Sequence, residues 1–176
     1  MPLKSTGDRY GSVAVTIHWL SALLIIALLG TGFRAAGATD LSAKAQILSV
    51  HAPIAITVLL LTVTRIAWWW FADRKPDPVA GTPAWQDYSA RAVHLMFYVV
   101  ILGMIASGIG MFVLSGAGAT LFGGAESQLP DFWEFKPRVP HGIGARLMVA
   151  LLVFHALAAL YHHFFKKDGL LQRMWF

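Results

Sequence analysis

Four long apolar runs separated by polar connections organise this chain. Residues 13–33 and 45–64 contain no Asp, Glu, Lys or Arg, and after Arg65 the apolar character resumes through Phe71. Residues 93–114 form a third run. The fourth occupies 147–165, with its start drawn back towards His141. Each run is close to the ~20 residues that a helix needs to cross the hydrocarbon core of a bilayer. The pattern predicts helices over about 12–33, 46–71, 92–114 and 141–165, within a single domain covering 1–176. The expected fold is all-α: an integral membrane four-helix bundle with both termini cytoplasmic. The first run is too long for the apolar region of a cleaved signal peptide, and no clear small-x-small site follows it.

The connections differ in character. Residues 34–44 form a short loop containing Gly37. Residues 73–87 carry Lys75-Pro76, Asp77-Pro78 and Gly81-Thr82-Pro83, which reads as a polar loop. The third connection, 115–140, starts Gly-rich and ends in Pro130-Asp131-Phe132-Trp133-Glu134-Phe135-Lys136-Pro137. It is expected to cap the membrane domain with an interfacial aromatic belt.

Composition supports the membrane reading. Of 176 residues, 57% are hydrophobic and 13% charged, where a soluble domain carries about 25% charged residues. The net charge of +5 raises nucleic acid as a partner, but the basic residues flank the apolar runs, so a lipid surface explains them better. Their distribution also votes on orientation. Lys4, Arg9, Arg65, Arg74, Lys75, Arg91, Lys166, Lys167 and Arg173 lie on the side of the termini; Arg34, Lys44, Lys136, Arg138 and Arg146 lie on the other. The larger set marks the cytoplasmic side, and Trp68, Trp69 and Trp70 would form its aromatic girdle. There is no cysteine. That excludes disulfides, thiolate-held iron–sulfur clusters and covalent haem attachment.

The chemistry rests on seven histidines: His18, His51, His94, His141, His155, His162 and His163. An ionisable side chain in an apolar span is costly, and a functional role is its default reading. The alternative is a histidine hydrogen-bonded between helices or sitting at the interface. Depth favours function for four of them. His18 and His155 lie at one level of the predicted helices, His51 and His141 at the other. His141 and His155 are 14 residues apart, so they share a helix face, about 21 Å apart along the axis. One helix thus aims a ligand into the bundle at each level. Neutral imidazole suits iron, and bundle cores host cofactors between facing helices. Two axial histidines at an iron leave no open position, which favours electron transfer over oxygen binding.

Arg65 stands 14 residues after His51 and so faces the same interior. It either meets an anionic partner there, such as a haem propionate, or snorkels to the surface. Gly103, Ala106, Ser107, Gly108 and Gly110 on the third span make room for a planar cofactor or for ordinary close helix packing. His94 competes as a ligand at the level of His18, though an interfacial or quinone-facing role suits its position better. His162 lies seven residues after His155, about 20° off the same face. It either lines a pocket towards the cytoplasm or sits with His163 at the interface beside Lys166 and Lys167.

These elements together resemble the bacterial cytochrome b561 family, which includes the haem-b subunits of hydrogenases and formate dehydrogenases. The likeness is carried by Arg9-Tyr10-Gly11 leading to Ile17-His18-Trp19, by His51, Arg65, His141 and His155 in order, and by the tail from His162-His163-Phe164-Phe165-Lys166-Lys167 through Asp168-Gly169-Leu170-Leu171-Gln172-Arg173-Met174. The resemblance implies two haem b groups, with His51–His141 as axial ligands of the periplasmic-side haem and His18–His155 of the cytoplasmic-side haem. It implies a multi-pass protein of the bacterial inner membrane that passes electrons to or from quinone. One similar branch oxidises superoxide while reducing ubiquinone.

Rival expectations are a membrane anchor that relays electrons for a dehydrogenase or hydrogenase, fed by a periplasmic or membrane redox protein, and a histidine-lined proton transporter, which would be colourless. Lys136, Arg138, Lys44 and Arg34 could steer an anion such as superoxide to the outer face. Asp131, Glu134, Glu126 and Asp40 oppose that field.

Overall fold

In hydrocarbon every backbone amide and carbonyl must be bonded within the protein, and a helix does this within one segment. The computed structural model describes residues 1–79, 81–123 and 128–176. The acid Glu126, expected to oppose an outer basic field, lies outside the described residues. The fold is all-α, with four long apolar helices, each long enough to cross a membrane. They are α1 (Ser12–Gly37), α2 (Leu41–Ala67), α3 (Ala84–Ser115) and α5 (Arg138–Tyr161), with a short α4 (Ala117–Phe122) after α3. A π-helical turn extends α2 over Trp68–Ala72, and another extends α5 over His162–Lys166.

The helices run further than hydropathy alone predicts, and local chemistry explains where they start. Asp40 begins α2 early: its side chain accepts from Ser42 N at 2.9 Å and its carbonyl from Lys44 N at 3.0 Å, the action of an N-cap. Pro83 precedes α3, and its carbonyl accepts from Gln86 N and Asp87 N. Asp87 then pairs with Arg91 one turn on, at 2.8 Å. The start of the third connection, expected to be a Gly-rich loop, is partly helical. Gly116 takes a left-handed conformation (φ 67°) that separates α3 from α4.

Apolar side chains face outward as well as inward. Leu23, Leu60, Val113 and Phe154 are each more than 60% exposed. Such a surface suits lipid and not water.

The chain forms two compact units. The first comprises Met1–Ala22, Leu60–Tyr98 and Ala150–Phe176; the second comprises Leu23–Leu59 and Val99–Val149. In the second, Met111, Ala117, Leu129 and Phe132 form a buried cluster, with Leu48 and Leu121 packed against it. In the first, segments outside the spans are tied together by hydrogen bonds. Asp73 accepts from Ser5 N, Ser5 Oγ (2.8 Å) and Trp68 Nε1 (3.1 Å). Arg9 donates to the Trp175 carbonyl at 2.8 Å, and Trp19 Nε1 to that of Met174 at 2.8 Å. Gly11 lets the N-terminal strand of chain pass close by: a Cβ there would lie 2.4 Å from the Leu3 carbonyl oxygen.

Burial pushes the Asp73 carboxyl up, but its bonds from Ser5, the Arg74 amide and Trp68 outweigh that and hold its pKa below the usual value. Its stabilising contribution is therefore complete above the unfolded pKa of about 3.9 and is lost as pH falls through the lowered folded value. Asp73→Asn should loosen the N-terminal segment by on the order of 1 kcal/mol per bond weakened. Hydrogen exchange at Ser5 and Gly11, faster in the variant at pH 7 and converging with wild type in acid, checks this.

Candidate functional site

Each unit brings histidines from two different helices together. In the second unit, His51 on α2 and His141 on α5 have ring centres 6.4 Å apart with planes inclined at 63°. In the first unit, His18 on α1 and His155 on α5 stand 6.2 Å apart at the same 63°. The four histidines expected to sort into two levels thus meet as two pairs of nearly identical geometry.

That geometry can be compared with a metal bridge. An imidazole nitrogen binds a first-row metal at about 2.0 Å and lies about 1.1 Å from its ring centre, so two rings that shared one ion from opposite sides would have centres about 6.2 Å apart. Both pairs fit. Among the described residues no three His, Cys, Asp or Glu side chains gather around a common point. Two-nitrogen donation with the remaining positions supplied by a macrocycle suits the haem of a bis-histidine cytochrome.

The surroundings of each pair differ. His51 Nδ1 lies 2.9 Å from Thr31 Oγ1. His141 Nδ1 lies 3.0 Å from both Ser107 Oγ and the Met104 carbonyl. In the first unit the partner is charged: Arg65 Nη1 lies 3.2 Å from His18 Nδ1. The same guanidinium keeps its Nε buried with no hydrogen-bond partner. That orphaned donor fits an anionic group such as a propionate. Arg65 therefore points inward, as its spacing from His51 suggested, and bonds a histidine that the spacing argument did not foresee.

His94 also belongs to the first unit's cluster. Its ring centre lies 5.7 Å from that of His155, closer than His18, and Phe97 sits 5.4 Å from His155 on another side. The His94 side chain is exposed. His162 is engaged elsewhere. Its Nδ1 is hydrogen-bonded to Asp168, across a turn closed by Lys167 in a left-handed conformation. Burial raises the Asp168 pKa, but the bonds from His162 and the Leu170 amide and the charges of His162 and Lys166 bring it below the ordinary value. His163 bonds Gln172 at 3.1 Å. His94 and His162, both read from the sequence as candidates for a quinone site, have different neighbours: His155 for the one and Asp168 for the other.

Of the glycines on the third span, Gly103 has open space where a Cβ would be, whereas Gly108 faces His141. Pattern reading missed Thr31, Asp168 and Phe97. Thr31 stands 20 residues from its partner, and only its being a hydroxyl within an apolar span could have flagged it.

Apolar spans holding paired imidazoles, in a chain with no cysteine, define a membrane cytochrome of the non-covalent, b type. The chain belongs to the prokaryotic cytochrome b561 family, which it matches over residues 9–176. It is 29% identical to cytochrome b561 homolog 1 of Escherichia coli K12, over 95% of this chain and 97% of that protein. It is 27% identical to a probable superoxide oxidase, CybB, of Yersinia pestis, over 94% and 95%. It is also 26% identical to a cytochrome b562 of Cereibacter sphaeroides, over 94% of each. Membership implies haem as the cofactor.

Proposed function

We propose that the chain is a di-haem b-type cytochrome of the bacterial inner membrane that carries electrons across the bilayer to or from quinone. The observation that supports it best is the repeated geometry of the two imidazole pairs, 6.2 and 6.4 Å, each matching the span of a trans bis-imidazole iron. On this reading His51 and His141 hold one haem, His18 and His155 hold the other, and Arg65 neutralises a propionate through its unpaired Nε. Haem, when bound, would supply a one-electron carrier. The residues do the rest. The paired histidines would hold its iron and keep water and oxygen from it, and apolar side chains keep the sites in a low dielectric. His94, exposed beside His155 and Phe97, orients a quinone ring. His162 holds a proton at Nδ1 against Asp168, at the end of the same helix. The excess of basic residues on the side of the termini supports a cytoplasmic location for both.

The first test removes one ligand at a time. His155→Ala should lose one haem and keep most of the other, and His141→Ala should do the converse, read from the reduced b-type spectrum and extracted haem. A substitution that left spectrum and content unchanged would show that the residue is not a ligand. A colourless purified protein would favour the proton-transporter reading.

The sharper form of the reading is superoxide oxidation with ubiquinone as acceptor. It is supported by the similarity to the Yersinia protein and by basic Lys136 and Arg138 near His141 in sequence. Arg138 is held by its stack on Trp133, with the guanidinium 4.4 Å from the ring centre. Superoxide should then reduce the oxidised protein rapidly, and ubiquinone should reoxidise it. The rate should fall with salt, because the Debye length shrinks from ~10 Å at 0.1 M to ~3 Å at 1 M. Lys136→Gln with Arg138→Gln should slow reduction without altering the spectrum. A protein that ubiquinol reduces while superoxide does not would instead be an electron relay for a partner enzyme.

A further inference from the structure

His51 and His141 are met in the same way from two different helices. On α1, Thr31 places Oγ1 2.9 Å from His51 Nδ1, and a Cβ on the next residue, Gly32, would lie 3.3 Å from His51 Cε1. On α3, Ser107 places Oγ 3.0 Å from His141 Nδ1, and a Cβ on the next residue, Gly108, would lie 3.4 Å from His141 Cε1. We propose that Thr31-Gly32 and Ser107-Gly108 are two copies of one seat, a hydroxyl followed by a missing side chain, that sets the tautomer and tilt of a haem-ligating histidine. The proposal rests on the haem reading of this pair.

The hydroxyl half of the seat fixes the proton. A backbone carbonyl only accepts, and a hydroxyl has one proton to give. Thr31 Oγ1 lies 2.8 Å from the Ala27 carbonyl and 3.2 Å from that of Leu28, so its proton is turned towards them. Its lone pair is left for His51, which must donate from Nδ1–H. At His141 the Met104 carbonyl makes the assignment directly, since Nδ1 can approach it at 3.0 Å only as a donor. Ser107 donates to the same carbonyl at 2.9 Å. Both rings therefore carry their proton on Nδ1 and keep the Nε2 lone pair for the metal. The opposite tautomer would present an N–H to the iron.

The glycine half fixes the tilt. A methyl group at 3.3–3.4 Å from a ring carbon is tighter than ordinary contact, so each imidazole fills the space that a side chain would take. The pairing is confined to the second unit. In the first unit His18 Nδ1 faces Arg65, which can only donate; for His18 to offer its Nε2 lone pair to a metal, Arg65 would have to turn to an anionic group instead.

The two copies differ in one testable respect. At His51 Nδ1 the contact is Thr31 Oγ1, whereas at His141 the Met104 carbonyl backs up Ser107. The experiment uses the full-length haem-loaded protein, with potentiometric titration, low-temperature EPR and haem content as readouts. Thr31→Val should raise the midpoint potential of one haem, because the ligand loses basicity, and weaken retention of that haem about 10- to 100-fold. Thr31→Ser should restore both. Ser107→Ala should shift less than Thr31→Val. Gly32→Ala, which keeps the hydroxyl, should change the low-spin EPR signal of the same haem and carries the test if Thr31→Val does not assemble. If His51→Ala loses a haem while Thr31→Val and Gly32→Ala keep wild-type potential, signal and content, the seat is wrong. If His51→Ala itself retains both haems, the haem reading of the pair fails instead.

Discussion

An imidazole within an apolar span has two ring nitrogens and no water to satisfy them, and much of this structure follows from that constraint. Helical backbone bonds itself, so polar side chains are the groups left to partner. Each of His51, His141 and His18 finds its Nδ1 partner on another helix: Thr31, Ser107 with the Met104 carbonyl, and Arg65. One nitrogen of each ring is thereby used. The ring centres of the two pairs lie 6.2 and 6.4 Å apart. The spans that contribute partners must approach closely enough to reach these rings, which explains glycines where Gly32 and Gly108 stand.

The two pairs are alike in spacing and unlike in charge. The His51–His141 pair has neutral hydroxyl and carbonyl partners, while the His18–His155 pair has a guanidinium and a third imidazole, His94. A buried cation beside an iron site favours the state with the extra electron, and neutral acceptors do not. On the proposed di-haem reading, the two environments would hold the haems at different potentials. Outside the spans, the bonds among Ser5, Asp73 and Trp68, and from Arg9 and Trp19 to the C-terminal tail, order the chain around the first unit.

The four helices and the pairing of histidines by depth were legible because both depend on periodicity and length, which a sequence displays directly. Helix starts were less so. Asp40 and Pro83 extend α2 and α3 by capping and by fixed backbone geometry, signals that hydropathy ignores. The partners of these histidines were not legible at all. Thr31 and His51 belong to different helices, and nothing in their separation says that they meet. Nor could periodicity show that a widened last turn and a left-handed Lys167 bring Asp168 onto His162. Gly108 could be separated from Gly103 only once His141 was placed against it.

The claim on which the mechanism depends is that each imidazole pair holds one haem. Pyridine haemochromogen extraction from purified, fully loaded protein, set against protein concentration from amino-acid analysis, measures it directly. Two b-type haems per chain, both low-spin when oxidised, is the predicted result; a single haem per chain would contradict it.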